Sequence, residues 1–293
     1  MSDTVLAIDL GGTRLRAGVA SVAQPAELKV IADGPAPRDR ESLLVAIRGH
    51  LSASGASRLG LGVPGLARDT TCTWIPNLGY LDGLDLGATF PDVSVAVGND
   101  AHFALVAEAT SGAAASVEDA ILLAIGTGIG SAVIAGGRIV TGSSGAAASF
   151  GWASASADDA GEDVSGWLER HASGRALDIA AAQIGLADGA ALVEAARKGD
   201  AAARTALEPP MHALGTALVG AVALLDPSVV ILAGGVARSL DVLGPMILAP
   251  LRRQLPRHLR GIDLKAGHFG AQAGLVGAAI AGARGRNWRQ QHG

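Results

Sequence analysis

Two glycine turns and one carboxylate hold most of the chemical potential of this chain. Asp9-Leu10-Gly11-Gly12-Thr13 follows an apolar run at 5–8, and Gly126-Thr127-Gly128-Ile129-Gly130 follows another at 122–125. Each run reads as a buried strand that ends in glycines and a hydroxyl. Glycine lets the backbone take positive φ and lets a ligand come close to the amide N–H groups. Consecutive N–H groups in such a turn form an anion-binding concavity. Two of them suggest one polyphosphate held between two domains. Asn99-Asp100 follows a third apolar run, 93–97, and opens a helical pattern. A carboxylate at such a strand end can take a proton from a bound hydroxyl within hydrogen-bond reach. A helix N-terminus favours its ionised form. Each feature also has a plainer use. The first turn can be a hairpin whose Asp accepts turn N–H groups. The second can be a tight glycine turn, and Asp100 an ordinary N-cap.

The elements needed to position these groups alternate between strand and helix. Residues 5–9 and 15–22 read as strands around the first turn, with a third at 28–32. Residues 42–52 place Leu43, Leu44, Ile47 and Leu51 on one helical face. Short apolar strands follow at 59–63, stopped by Pro64-Gly65, and at 93–97, then a helix at 101–109. The pattern restarts at Asp119, with strands at 120–125, 130–135 and 138–141 and a Gly136-Gly137 hairpin turn. A polar stretch at 142–163 reads as loop, and 165–225 as mostly helix. A buried strand at 229–232 runs into Ala233-Gly234-Gly235; 264–266 reads as the last strand, 272–283 as a closing helix and 284–293 as a frayed basic tail. Such alternation indicates an α/β sheet protein. The restart suggests two halves built alike: a first domain at 1–115, joined by the C-terminal helix 272–283, and a second at 116–293 with a helical insertion.

Composition narrows the function classes. Hydrophobic residues make up 49% of the 293, enough for a sizeable core. The net charge of −4 argues against an extended nucleic-acid footprint, which needs a basic patch. Cys72 is the one cysteine, so no internal disulfide and no multi-cysteine metal site can form. No signal peptide is evident at the start, and the apolar stretch 214–225 is shorter than a membrane span. The expectation is a cytoplasmic protein.

Taken together, the short motifs resemble the ROK family of bacterial sugar kinases, within the actin-like ATPase and hexokinase fold. The resemblance spans nearly the whole chain. It rests on Asp9-Leu10-Gly11-Gly12-Thr13, Gly62-Val63-Pro64-Gly65, Pro76-Asn77-Leu78-Gly79, Asn99-Asp100-Ala101, Gly126–Gly130, and Asp226-Pro227 ahead of Leu232-Ala233-Gly234-Gly235, in that order. It implies two actin-like (ribonuclease H-like) α/β domains around an ATP/sugar cleft. It implies that Gly11, Gly12, Thr13, Gly126, Thr127 and Gly128 hold phosphates, that Asp9 serves Mg²⁺ indirectly with ATP, and that Gly234 and Gly235 lie against adenosine. Asp100 would be the general base, worth roughly 10²–10⁴-fold in rate. Asn99, Asn77, Glu169 and the Gly65 backbone would orient the acceptor. Arg14 and Arg16 read as a solvated strand face. A homodimer through the second domain is also implied.

The chain departs from the family pattern at one place. Where relatives carry Glu-X-Gly-His, Ser149 stands at the Glu position and Trp152 at the His position. The family's zinc motif is replaced by 161–169, so no structural zinc site is expected. Glu169 matches the Glu that follows the last zinc cysteine in relatives. Losing Glu and His relaxes or redirects the demand for particular sugar hydroxyls. Trp152 offers a ring face for stacking; equally, Trp152 and Phe150 could fill the space left by zinc and its loop. The expected reaction is ATP-dependent phosphorylation of the primary hydroxyl of a hexose or a hexose-like modified sugar, amino sugar or cyclitol pseudosugar. The rivals are plain glucokinase, a non-catalytic sugar sensor, and a polyphosphate-dependent kinase that no extended basic run supports. With the first strand beginning at Val5, a DNA-binding repressor carrying a helix-turn-helix ahead of it is not expected.

Overall fold

The computed structural model describes residues 3–290. The chain begins with β1 (Thr4–Leu10), β2 (Arg14–Ser21), β3 (Lys29–Pro35), α1 (Arg40–Ser54) and β4 (Arg58–Val63). A small hairpin, β5 (Leu66–Arg68) and β6 (Thr71–Trp74), leads to α2 (Leu86–Thr89), β7 (Ser94–Asn99) and α3 (Asp100–Ser111). Then come β8 (Ala120–Ile125), β9 (Ile129–Ala135), β10 (Arg138–Ile139), and the helices α4 (Trp167–Ala172), α5 (Gly174–Gln183), α6 (Gly189–Arg197) and α7 (Ala201–Leu225). The chain closes with β11 (Val229–Gly234), α8 (Leu240–Gln254), β12 (Leu264–Ala266) and α9 (Ala273–Arg284).

The chain divides into two compact units, one of residues 1–118, 136–147 and 271–293, the other of 119–135 and 148–270. In the first unit the strands run β3-β2-β1-β4-β7. β1 and β2 are an antiparallel hairpin, while β1, β4 and β7 are parallel. Leu6 and Ile8 of β1, Leu59 and Leu61 of β4, and Leu43 and Ile47 of α1 are fully buried in one cluster. Each such side chain contributes about 1.5–3 kcal/mol by leaving water. α1 starts where Asp39 accepts the Ser42 N–H and ends at Gly55 in the left-handed region, the usual stop for a helix. α9, built of Ala, Gly and aliphatic residues, packs on β1, β4 and α3.

The second unit repeats the plan. Its strands order β9-β8-β11-β12, as β2-β1-β4-β7 do in the first. The β8–β9 pair is an antiparallel hairpin and β8, β11 and β12 are parallel. The run Val229–Leu232 is almost wholly buried, as expected of a strand covered on both faces. The helical insertion resolves into four helices, α4 to α7. α7 ends at Asp226, whose φ of 45° is left-handed, and Pro227 cannot extend it. No described helix is long and apolar enough to cross a membrane.

Two local expectations change. The hairpin β5–β6 lies where only a turn was anticipated, after Pro64-Gly65. The tail expected to fray is ordered as far as it is described: Trp288 is 3% exposed and stands edge-on to Phe103 at 5.0 Å. Burying an indole in an otherwise Ala- and Gly-rich surface outweighs the polar composition around it. Residues 291–293 lie outside the described part.

Candidate active site

In the first unit the parallel strands β1, β4 and β7 bring their carboxyl ends together, the edge at which open α/β sheets bind ligands. Asp9 stands one residue before the end of β1, with Gly62 of β4 as its Cα partner. Asn99 ends β7, with Val63 of β4 as partner. The Gly11 N–H donates to the Arg14 carbonyl at 2.8 Å and closes the first turn. Gly12 and Thr13 stand exposed at its tip. A Cβ on Gly12 would lie 3.3 Å from the Cβ of Asn77, so Asn77 borders this turn.

Asp9 is a shielded carboxylate. Arg16, its Cα partner across the β1–β2 hairpin, donates from Nη2 to Asp9 Oδ2 at 2.7 Å. Arg16 Nη1 also donates to the Ala271 carbonyl. A Cβ at Gly274, in the first turn of α9, would stand 3.1 Å from Asp9 Oδ1. Burial raises the Asp9 pKa, and the Arg16 charge and hydrogen bond partly offset this. Arg14, by contrast, is exposed and pairs with Asp33 at 2.5 Å. The expected solvated face therefore holds for Arg14 and not for Arg16. The Arg16 guanidinium is drawn onto the buried carboxylate opposite it in the hairpin, where its charge offsets the cost of that burial.

The Asn99 side chain is the true N-cap of α3. Its Oδ1 accepts from the N–H groups of Ala101 (2.9 Å) and His102 (3.3 Å). Its Nδ2 donates to the Gly65 carbonyl at 3.1 Å. Asp100 is thereby released from capping and occupies the first helical turn. Its Oδ1 accepts the Ala101 N–H at 2.8 Å, and the backbone N–H of Asp100 itself also bonds to the carboxylate. Burial and the neighbouring Asp9 charge push the Asp100 pKa up to about 6, the range in which a carboxylate can take a proton and release it again. His102 is buried, and that burial together with Arg289 lowers its pKa to about 4. It is neutral near pH 7.

The second unit carries the other turn. The Gly126 N–H donates to the Gly128 carbonyl (3.0 Å), and the Gly174 N–H at the start of α5 donates to the Gly126 carbonyl (2.7 Å). The loop is thus docked against a helix N-terminus, a ready anion site. Beside it lies a cavity of about 340 Å³ lined by Thr127, Arg175, Asp178, Val236, Ser239 and Leu243, among others. Gly235 also lines it. Gly234 takes φ 78°, and a Cβ there would collide with the Ile125 backbone. Sequence reasoning missed Arg175, Asp178 and Ser239. Their only local signal is position within α5 and just before α8, and it takes the fold to bring them to one cavity.

The segment that departs from the family pattern is strapped to β9. Ser131 donates its hydroxyl to the Ala148 carbonyl and accepts the Phe150 N–H at 2.9 Å. Ala148 holds a positive φ of 62°. Ser149 is exposed and Trp152 is 50% exposed, so half of the indole surface is open to solvent. Glu169 Oε2 accepts the Ile129 N–H at 2.9 Å. Across the stretch that replaces the zinc motif, the flanking Arg170 grips Asp159 with two contacts of 2.7 and 2.8 Å and, within the stretch, the Ser165 carbonyl at 2.6 Å. Among the described residues no group of three or more His, Cys, Asp or Glu side chains is placed to hold a metal ion.

A family model, ROK family, matches residues 5–283. The chain belongs to the ROK family. Its fold is the two-domain actin-like ATPase fold of ROK proteins. The chain is 28% identical to a glucokinase of Streptomyces coelicolor over 94% of its own length and 96% of the relative's. It is 30% identical to an N-acetylmannosamine kinase of Escherichia coli over 94% and 97% of the two chains. Among solved structures it resembles a ROK family glucokinase from Streptomyces griseus in complex with glucose and AMPPNP, with TM-score 0.77, 26% identity and coverage of 96% and 100%.

Proposed function

We propose that this ROK protein is an ATP-dependent sugar kinase that phosphorylates the primary hydroxyl of a hexose or hexose-like acceptor. The observation that carries the reading is the Asp100 carboxylate. It is largely desolvated, stands in the first turn of α3 and is freed from capping by Asn99. The Asp100 carboxylate accepts the hydroxyl proton as the acceptor oxygen forms its bond to the γ-phosphorus and the bond to the leaving ADP breaks. The similarity to glucokinases and N-acetylmannosamine kinases supports the donor and the acceptor class.

The remaining roles are those that the family resemblance implies. Gly11, Gly12 and Thr13 in one unit and Gly126, Thr127 and Gly128 in the other bind phosphate oxygens. Gly234 and Gly235 border the adenosine, beside a cavity large enough for a purine nucleoside. Mg²⁺ is usually held by one or two carboxylates plus phosphates while keeping several waters. The donor set fits: Asp9 Oδ1 accepts no hydrogen bond among the described residues, while Oδ2 is neutralised by Arg16. Bound with ATP, Mg²⁺ would neutralise charge on the phosphates. The acceptor contacts proposed are Asn77, Asn99 and the Gly65 carbonyl in the first unit and Ser149, Trp152 and Glu169 in the second. The half-exposed Trp152 ring supports an acceptor with an apolar ring face, such as a modified sugar, amino sugar or cyclitol pseudosugar. The cytoplasm is the expected site of action, with a homodimer as the assembly.

The test is a panel of candidate acceptors incubated with ATP and read by mass spectrometry for the gain of one phosphoryl group. Asp100→Asn should lower kcat roughly 10²–10⁴-fold while nucleotide affinity persists. No phosphorylated product from any acceptor would leave the sensor reading standing. Wild-type kcat in the variant would remove Asp100 from the chemistry.

A further inference from the structure

The carboxylate of Glu169 lies between two segments of the second unit. Its Oε2 accepts the Ile129 N–H at 2.9 Å. A Cβ at Gly128 would stand 2.6 Å from that oxygen, and one at Gly151 would stand 3.6 Å from it. Glu169 therefore bonds to the 126–130 loop and lies close to the 149–152 segment. Its Oε1 accepts no hydrogen bond among the described residues.

A carboxylate against an anion-binding loop is electrostatically adverse unless it does something the loop needs. The loop carries glycine at 126, 128 and 130, so its amides point together only when something holds them. The Gly126 N–H is engaged by the Gly128 carbonyl and the Ile129 N–H by Glu169. The Thr127 and Gly128 amides, between those two anchors, have no partner among the described residues. Helix α4, which presents Glu169, is itself pinned. The Leu168 N–H donates to the Ala153 carbonyl at 3.2 Å. Arg170 ties the helix to Asp159 and the Ser165 carbonyl, with Glu162 at 3.4 Å.

We propose that Glu169 is a positioning residue for the phosphate loop: it anchors Ile129 so that the Thr127 and Gly128 amides face the nucleotide. The proposal rests on reading 126–130 as a phosphate loop, as above. Nucleotide affinity in this chain then depends on a carboxylate that does not line the nucleotide cavity.

The experiment measures binding of a non-hydrolysable ATP analogue with Mg²⁺ and no acceptor, by calorimetry, for wild type, Glu169→Gln and Glu169→Ala. Glu169→Ala should weaken the analogue about tenfold or more, the scale of one lost charge-assisted hydrogen bond. The Gln side chain can still accept the Ile129 N–H, so Glu169→Gln should stay within about threefold of wild type. The same split should appear in the KM for ATP. Amide exchange supplies an independent reading should Glu169→Ala fail to fold. The Ile129 N–H should exchange slowly in wild type, and fast exchange there overturns the proposal. Unchanged analogue affinity in Glu169→Ala, with loss confined to the acceptor KM, overturns it as well. A wild-type protein that binds no nucleotide at all overturns both this proposal and the kinase reading.

Discussion

Asp9 and Arg16 are direct partners across the β1–β2 hairpin, and their side chains form a 2.7 Å ion pair with only 12% and 26% of their surfaces exposed. The first glycine turn therefore connects two strands whose facing charges neutralise one another. A second carboxylate, Asp100, is held above the normal range by burial and then by the Asp9 charge. One edge of the sheet thus carries a carboxylate with a built-in cation and one without.

Breaking that pair should cost more at neutral than at acid pH. Arg16 lowers the Asp9 pKa against the upward push of burial, so Arg16→Gln leaves a buried carboxylate without its counter-charge. A loss of about 1–3 kcal/mol at pH 7 is expected, discounted from the full penalty of a buried orphan charge because both side chains keep some solvent contact. The loss should shrink toward pH 5, where Asp9 without its cation is more readily protonated. Thermal unfolding of both proteins at the two pH values checks this; an equal drop at both would mean that packing, not charge, is lost.

The pH profile of the free enzyme should report Asp100. Its folded-state pKa is about 6, against an ordinary value of 3.8, and the base works only when ionised. Below about pH 6, kcat/KM should therefore fall roughly tenfold for each further pH unit. An acid limb centred near pH 4 would show that the carboxylate is not held high before substrate binds.

The raised pKa bears on stability with the opposite sign to catalysis. A carboxylate whose pKa is raised on folding stabilises the fold fully below its unfolded value of 3.8, and this contribution is lost as pH rises through about 6. At pH 7 the ionised group is a net cost of order 1–3 kcal/mol, since a pKa displaced by one pH unit corresponds to about 1.4 kcal/mol. Asp100→Asn should be more stable than wild type at pH 7 and no more stable near pH 3. A destabilised variant at pH 7 would contradict the burial argument.

Trp152→Ala should leave the fold nearly intact and damage acceptor binding. Half of the indole is exposed, so the unfolding free energy should move by only about 0.5 kcal/mol. Acceptor KM should rise while the KM for ATP holds. A large drop in melting temperature with unchanged acceptor KM would make the ring a packing group.

Trp288→Ala should behave in the reverse way. The ring is buried and edge-on to Phe103, and removing it should cost about 3–5 kcal/mol. Denaturant unfolding checks this. A change below about 1 kcal/mol would mean that the tail is dispensable to the first unit.

Much of this was legible along the chain because it depends on local chemistry. Apolar runs such as 5–8, 122–125 and 229–232 announce buried parallel strands, and the glycines after them announce turns that a backbone can make only without side chains. The Asn99-Asp100 pair was visible too, but its division of labour was not. Capping is a matter of which side chain turns back onto the helix, and the structure gives that task to Asn99. The ordered tail was hidden for a different reason: one tryptophan in a basic, glycine-containing stretch carries no periodicity, and its value depends on finding Phe103.

From sequence alone came the strand ends, the two glycine turns, the candidate base and the altered Ser149–Trp152 segment, because residue type and spacing set backbone freedom and chemical capacity. Tertiary structure alone decided what those groups face. Cross-strand register pairs Asp9 with Arg16. Sheet order brings Asp9, Gly65 and Asn99 to one edge, and helix packing places Glu169 on Ile129, 40 residues away in the chain. Charge, desolvation and hydrogen bonding act through space over a few ångströms, and which residues come that close is a property of the folded chain.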